Sequence, residues 1–191
     1  MFLVVGLGNP GPQYEHNRHN IGFIAADSIA AKLGASGWKH NFDGQMCDAR
    51  VSEPAVRVYF LKPQTFMNLS GACVQAVRGF YKIPLQNVIV LCDELDLPPG
   101  KMRVKMGGGN GGHNGIRSLD EYMGPDYWRV RIGIGHPGDK NRVTDHVLSD
   151  FNATDWPLQQ AMLAALTKHF PLMLRNDAAG FMNKVALEVK V

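Results

Sequence analysis

The run Val88-Ile89-Val90-Leu91-Cys92 places five apolar residues in succession with no polar alternation. A strand of that kind is buried on both faces, so its sheet must be sandwiched between helices. Residues 2–6 (Phe-Leu-Val-Val-Gly) repeat the pattern more briefly at the start of the chain. Strands are also expected near residues 45–51 and 56–61, and at 101–106 and 129–134. Between them, residues 21–33, 68–81 and 114–123 carry apolar positions at helical spacing, and residues 144–148, 155–170 and 177–188 make a helical end. Strands interspersed with crossover helices give an α/β fold, a mixed β-sheet surrounded by α-helices. At 191 residues the chain is expected to form one domain, residues 1–191, with residues of about 150–191 forming its C-terminal helices.

Composition narrows the function only by exclusion. The apolar start is too short for a secretory core and no window reaches transmembrane length, so the expectation is a cytoplasmic protein with no membrane contact. Three cysteines, Cys47, Cys73 and Cys92, have no C-x-x-C spacing, which argues against a disulfide framework or cysteine zinc site. The net charge is only +3, but residues 101–142 carry eight basic side chains against four acids. Within that segment Lys101, Arg103 and Lys105 share one strand face, as do Arg129 and Arg131. Such faces suit an anionic ligand, or simply a solvated edge that discourages aggregation.

The opening segment contains Gly6, Gly8 and Gly11 in a G-x-G-x-x-G match. A dinucleotide site also needs a helix that starts inside the glycines and an acid ending a second strand. Pro10 and Pro12 obstruct that helix, and the acid at the right distance, Asp27, lies inside the next helix. A Walker loop fails because no Gly-Lys-Ser/Thr follows either glycine cluster.

The loop instead delivers Asn9, Tyr14, His16, His19 and Asn20 beyond the end of a central strand, where α/β sheets place their ligands. Asp93 ends the run 88–92 in the same way. If the two strands are neighbours, His19 and Asp93 meet, and a carboxylate on one imidazole nitrogen frees the other to take a proton from water. The competing readings are a solvated histidine, a turn-capping Asp, or a metal site drawing on the seven histidines with Asp93, Glu94 and Asp96. No G-x-S-x-G elbow marks a serine nucleophile, and Cys92 reads as core. Asn68 and Asn114 sit at helix starts, as N-caps or as neutral amides that read a peptide. The glycine-rich stretch 107–112 before the helix at 114 is either a backbone anion cradle or a connector.

Taken together, "VGLGNPGPQYEHNRHNIGF", "KPQTFMNLSG", "CDELDLPPGKMRVKMGGGNGGHNGIRS" and "WRVRIGIGHPGDKNRVTDHVL" resemble, in order and spacing, the signature segments of bacterial-type peptidyl-tRNA hydrolases over about residues 3–148. The resemblance implies a monomer with no metal or organic cofactor that hydrolyses the ester joining a peptide, or an N-blocked amino acid, to the 3' end of tRNA. It implies that His19 activates water, that Asp93 holds His19 in its basic form, and that Asn9 distinguishes blocked from free amino groups. It assigns the peptidyl end to Asn68 and Asn114, tRNA contact to Tyr14 and Phe66, the cleft lining to Met67, and phosphate contact to Lys105 and Arg131. His113 supports the cleft from the glycine loop. The helix at 155–170, with Met162, Leu163 and Leu166, is either a mobile lid or a plain core-covering helix. A different class of reading, a non-catalytic RNA-binding protein on the same scaffold, leaves His19, Asp93 and Asn9 without a purpose. A metal-dependent hydrolase would be inactivated by chelator.

Overall fold

The computed structural model describes residues 1–190. Its strands are β1 (Phe2–Gly6), β2 (Lys39–Asn41), β3 (Gly44–Val51), β4 (Val56–Pro63), β5 (Val88–Glu94), β6 (Met102–Met106) and β7 (Trp128–Gly133). The helices are α1 (Ile21–Lys32), α2 (Ser70–Tyr81), α3 (Asn114–Met123), α4 (Val143–Val147), α5 (Asp155–His169) and α6 (Ala178–Glu188). The strands form one sheet in the order β2-β3-β4-β1-β5-β7-β6. The four central strands β4, β1, β5 and β7 are parallel, while β2, β3 and β6 pair antiparallel at the two flanks. The fold is therefore the α/β mixed sheet that the strand patterning predicts.

The two apolar runs lie side by side at the centre, with Val5 opposite Val90 and Gly6 opposite Leu91. Their alternating side chains feed two cores. Phe2, Val4, Ile89 and Leu91 pack under α1, α5 and α6. Leu3, Val5, Val88 and Val90 pack under α2 and α3. Gly22 lets α1 lie against the sheet: a Cβ there would come within 2.6 Å of the Leu7 carbonyl oxygen and closer still to that of Leu91. The helix starts at Ile21, well beyond the opening glycines, which disposes of the dinucleotide reading.

Several sequence expectations change. Arg129, counted above on a basic strand face, is fully buried. Its guanidinium donates to Asp120 at 2.9 Å and to the Gly109 carbonyl at 2.9 Å, and stacks over the Tyr127 ring. It braces the fold rather than meeting an anion. Helix α5 buries Met162, Leu163 and Leu166 in the core, so residues 155–169 cover the sheet, and the wall nearest the functional loops is α4 instead. Strand β2 went unforeseen because Lys-His-Asn has neither apolar run nor alternation, and all three residues are exposed. Helix α2 is preceded by a 3-10 turn at Met67–Leu69, which contains Asn68. Among the described residues no helix is long and apolar enough to cross a membrane.

Candidate active site

The chain leaves β1 at Gly6, bends at Gly11 (φ 115) and passes through two 3-10 turns, Pro12–Tyr14 and Arg18–Asn20, before α1. The second turn is strapped from outside. The Arg18 amide donates to the Ser149 carbonyl at 2.9 Å, its guanidinium donates to Ser149 Oγ at 2.6 Å and lies over Phe151, and Asn17 Nδ2 donates to Asp150 at 2.9 Å. This strap fixes the residue that follows it, His19.

His19 Nδ1 lies 2.9 Å from Asp93 Oδ1 and 2.8 Å from Oδ2. Asp93 is the penultimate residue of β5, is 4% exposed, and receives a second imidazole, His113 Nε2, at 2.8 Å on Oδ1. Burial by itself would raise the Asp93 carboxyl, but attraction to His19 and His113 outweighs it and holds the group well below the usual carboxylate range. Burial likewise works against charging His19, yet the charge and hydrogen bond of Asp93 prevail and lift its pKa above the ordinary value. An ionised carboxylate only accepts, so Nδ1 of His19 carries the proton and Nε2 keeps its lone pair. That nitrogen has no hydrogen-bond partner among the described residues, and the ring lines a cleft of about 820 Å³.

His113 has its own constraint. It is the N-cap of α3, its Nδ1 accepting from the amides of Gly115 at 3.1 Å and Ile116 at 3.3 Å. The ring proton is thereby placed on Nε2, directed at Asp93. The donor atoms of His19, Asp93 and His113 lie within 4.8 Å of one another, close enough to suggest a cation site. A protonated Nε2 has no lone pair for a metal, so the trio suits a hydrogen-bonded unit instead. The cap also answers the question of Asn114, whose carboxamide is not used to cap the helix and stays exposed in the cleft.

Asn9 is held on three sides. Its amide donates to Asn20 Oδ1 at 2.9 Å, its carbonyl accepts from Asn20 Nδ2 at 2.9 Å, and its Oδ1 accepts from the Met67 amide at 2.8 Å. The acceptor is thus committed, and Nδ2 is the polar group that Asn9 offers to the cleft.

Asn9, His19, Phe66, Met67, Asn68, Asp93, His113 and Asn114 all line this one cleft. Phe66 is 56% exposed at its rim, whereas Met67 is buried in its wall. Three expected residues lie outside the lining: Tyr14, Lys105 and Arg131. Lys105 is exposed on edge strand β6. Arg131 donates to Glu94, which lines the cleft, at 3.0 Å and to the Gly109 carbonyl at 2.8 Å, next to a glycine loop whose Asn110–Gly112 portion also lines the cleft. Within the glycine loop the Gly107 amide donates to the Tyr127 carbonyl and that of Gly112 to Asn110, while at the start of α3 the amides of Gly115 and Ile116 are capped by His113. Sequence reasoning overlooked Arg117, His136 and Lys140 on the cleft wall and the bracketing role of Asn20; no local spacing marks any of them.

A family model described as peptidyl-tRNA hydrolase matches residues 3–191. A peptidyl-tRNA hydrolase of Chelativorans sp. is 51% identical over 190 residues, covering 100% of this chain and 79% of the relative. One from Methylobacterium radiotolerans is 52% identical over 187 residues, covering 98% of this chain and 92% of the relative. The crystal structure of peptidyl-tRNA hydrolase from Acinetobacter baumannii superposes with a TM-score of 0.91 at 37% identity, over 97% of this chain and 94% of that one. With a matching family model, relatives about half identical over nearly the whole of this chain and the same fold in a solved structure, the chain belongs to the peptidyl-tRNA hydrolase family.

Proposed function

We propose that the hydrolysis of peptidyl-tRNA for which this family is named runs, in this chain, on a water activated by His19. The observation that carries the reading is the buried Asp93 carboxylate 2.8 Å from His19 Nδ1, which leaves Nε2 basic in the cleft that Asn9 also lines. Nε2 takes a proton from water as the water oxygen bonds to the ester carbonyl carbon. The carbonyl electrons move onto oxygen, where the Asn68 and Asn114 carboxamides donate to the oxyanion. Collapse breaks the bond to the ribose oxygen, which receives the proton from His19. The products are a peptide acid and a tRNA with a free terminal hydroxyl, returned for use after premature release.

Asn9 selects the substrate. Its Nδ2 can only donate, so it suits the carbonyl of an N-blocking acyl group and has nothing to offer the ammonium of an unblocked aminoacyl ester, which also only donates. Met67 shapes the wall, and Phe66 with Tyr14 contacts the terminal nucleotides. Lys105 and Arg131 meet tRNA phosphates beyond the cleft, as a substrate far larger than about 820 Å³ requires. The enzyme works as a one-domain monomer in the cytoplasm, without metal or organic cofactor.

The test compares N-acetyl-aminoacyl-tRNA with the unblocked aminoacyl-tRNA, using wild type and His19→Ala, with and without chelator. Cleavage of the blocked ester alone, indifferent to chelator and lost in His19→Ala, is the expected result. Undiminished turnover by a folded His19→Ala protein would overturn the assignment of the base, and folded wild type that binds tRNA without cleaving it would restore the binding-protein reading.

A further inference from the structure

We infer that Asn20 is a specificity-determining positioning residue, which sets the direction of the Asn9 donor and through it the preference for N-blocked substrates. The inference rests on the role of Asn9 proposed above. Asn20 is 2% exposed and spends its carboxamide on the main chain of Asn9, accepting from the amide at 2.9 Å and donating to the carbonyl at 2.9 Å. This two-point bracket does for Asn9 what a strand partner does within a sheet, fixing both the position and the plane of its peptide units.

The bracket is needed because the surrounding chain gives little other support. Asn9 lies between the end of β1 and Pro10, a residue with no amide hydrogen to donate, and it belongs to no strand or helix. The remaining anchor, the Met67 amide on Asn9 Oδ1 at 2.8 Å, orients the side chain but comes from another loop. Asn20 also adjoins His19 in sequence, so one residue ties the donor that reads the substrate to the base that attacks it. A shorter side chain at position 20 leaves the Asn9 amide and carbonyl buried without partners and frees the donor to turn.

The readout is the ratio of kcat/KM for N-acetyl-aminoacyl-tRNA over aminoacyl-tRNA, measured for wild type, Asn20→Ser, Asn9→Ala and the double variant, each confirmed folded by circular dichroism. Asn20→Ser is expected to lower the ratio by about tenfold to a hundredfold, the scale on which a misplaced contact acts. In the Asn9→Ala background the same change is expected to move the ratio by less than about twofold, since it acts through a group already removed. Asn20→Asp keeps the acceptor for the Asn9 amide but loses the donor for its carbonyl. It is expected to fall between wild type and serine, and carries the same test if the serine variant does not fold. A wild-type ratio in the position-20 variants while Asn9→Ala collapses it, or an equal loss in both backgrounds, overturns the role of Asn20 and leaves that of Asn9 standing. A wild-type ratio in Asn9→Ala removes both.

Discussion

Replacing Asp93 with Asn should damage turnover more than replacing it with Ala, and the reason lies in which ring can change its tautomer. Asp93 accepts from two imidazoles: His113 Nε2 on Oδ1 at 2.8 Å, and His19 Nδ1 on both oxygens at 2.8–2.9 Å. Asparagine keeps one acceptor oxygen and turns the other site into a donor. His113 cannot adapt, because its Nδ1 is committed to the Gly115 and Ile116 amides. It therefore claims the asparagine oxygen, and the new NH₂ faces His19. His19 answers by moving its proton to Nε2, where no lone pair remains to take a proton from water.

Recovering the active tautomer would set two buried donors face to face, at about 1–3 kcal/mol for each donor left unpaired. The sum of roughly 2–6 kcal/mol corresponds to a loss of about 30-fold to about 2 × 10⁴-fold in kcat. Alanine withdraws the carboxylate without imposing the wrong tautomer, so its loss should be smaller, about tenfold to a hundredfold. The assay is single-turnover cleavage of N-acetyl-aminoacyl-tRNA with both variants confirmed folded. The pH profile gives a second check. In wild type His19 sits above its ordinary value and must be neutral to act, so activity falls as pH drops through that raised value. With the raising partner gone in Asp93→Ala, the acid limb should move to lower pH. An Asn variant as active as Ala, or an acid limb that stays in place, would refute the reasoning.

Lys105→Ala should raise KM for the tRNA substrate and flatten its salt dependence by about one counterion's worth, leaving the melting temperature unchanged. Arg131→Ala should do the same and also melt earlier, by the equivalent of about 1–3 kcal/mol, since it strips Glu94 and the Gly109 carbonyl of a charged donor; equal melting of the two variants would count against the contrast. Gly22→Ala should destabilise by about 3 kcal/mol in urea titration, because the new Cβ meets backbone oxygens that cannot yield, whereas Gly37→Ala, with nothing within 4 Å, should be neutral. Activity should survive prolonged treatment with chelator, because the His113 proton occupies the position a metal would need; loss restored by a divalent cation would reverse the reading of the trio.

The parts of the molecule legible in sequence are those in which one short segment carries its own signal. The runs 2–6 and 88–92 announce doubly buried strands, and both are central. Their adjacency is another matter: spacing placed His19 and Asp93 at two strand ends, and only the sheet order makes the ends neighbours. The burial of Arg129 is not legible in sequence, because alternation says which residues share a face and is silent on what covers it. Here Tyr127 and Asp120 come from the same stretch of chain to bury the guanidinium. The cap of α3 was sought at Asn114, the better capping type, but its neighbour His113 takes the position and gains a tie to Asp93 that no propensity scale contains. Asn20 is visible in the loop, but its bracketing role is not, because that role consists wholly of contacts to a residue eleven positions away.

The catalytic geometry therefore belongs to the sheet more than to any motif. His19 and Asp93 are separated by 74 residues; Asp93 lies near the end of β5, and His19 in the loop that follows β1, the strand paired with it. A one-residue shift in register between β1 and β5 would move the start of the loop that carries His19 relative to Asp93 by about 3.3 Å, more than the length of the bond between the two side chains. Full burial on both faces opposes that shift, since every apolar side chain of both strands would have to repack. The local devices then act on what the sheet has brought together. Arg18 straps the histidine turn to residues 149–151, His113 couples the start of α3 and hence Asn114 to Asp93, and Asn20 couples Asn9 to the neighbour of His19. The last two couplings each join a group that would hold substrate to one that would move a proton or stand beside it, so a change that loosens binding in this cleft should be felt in the chemical step as well.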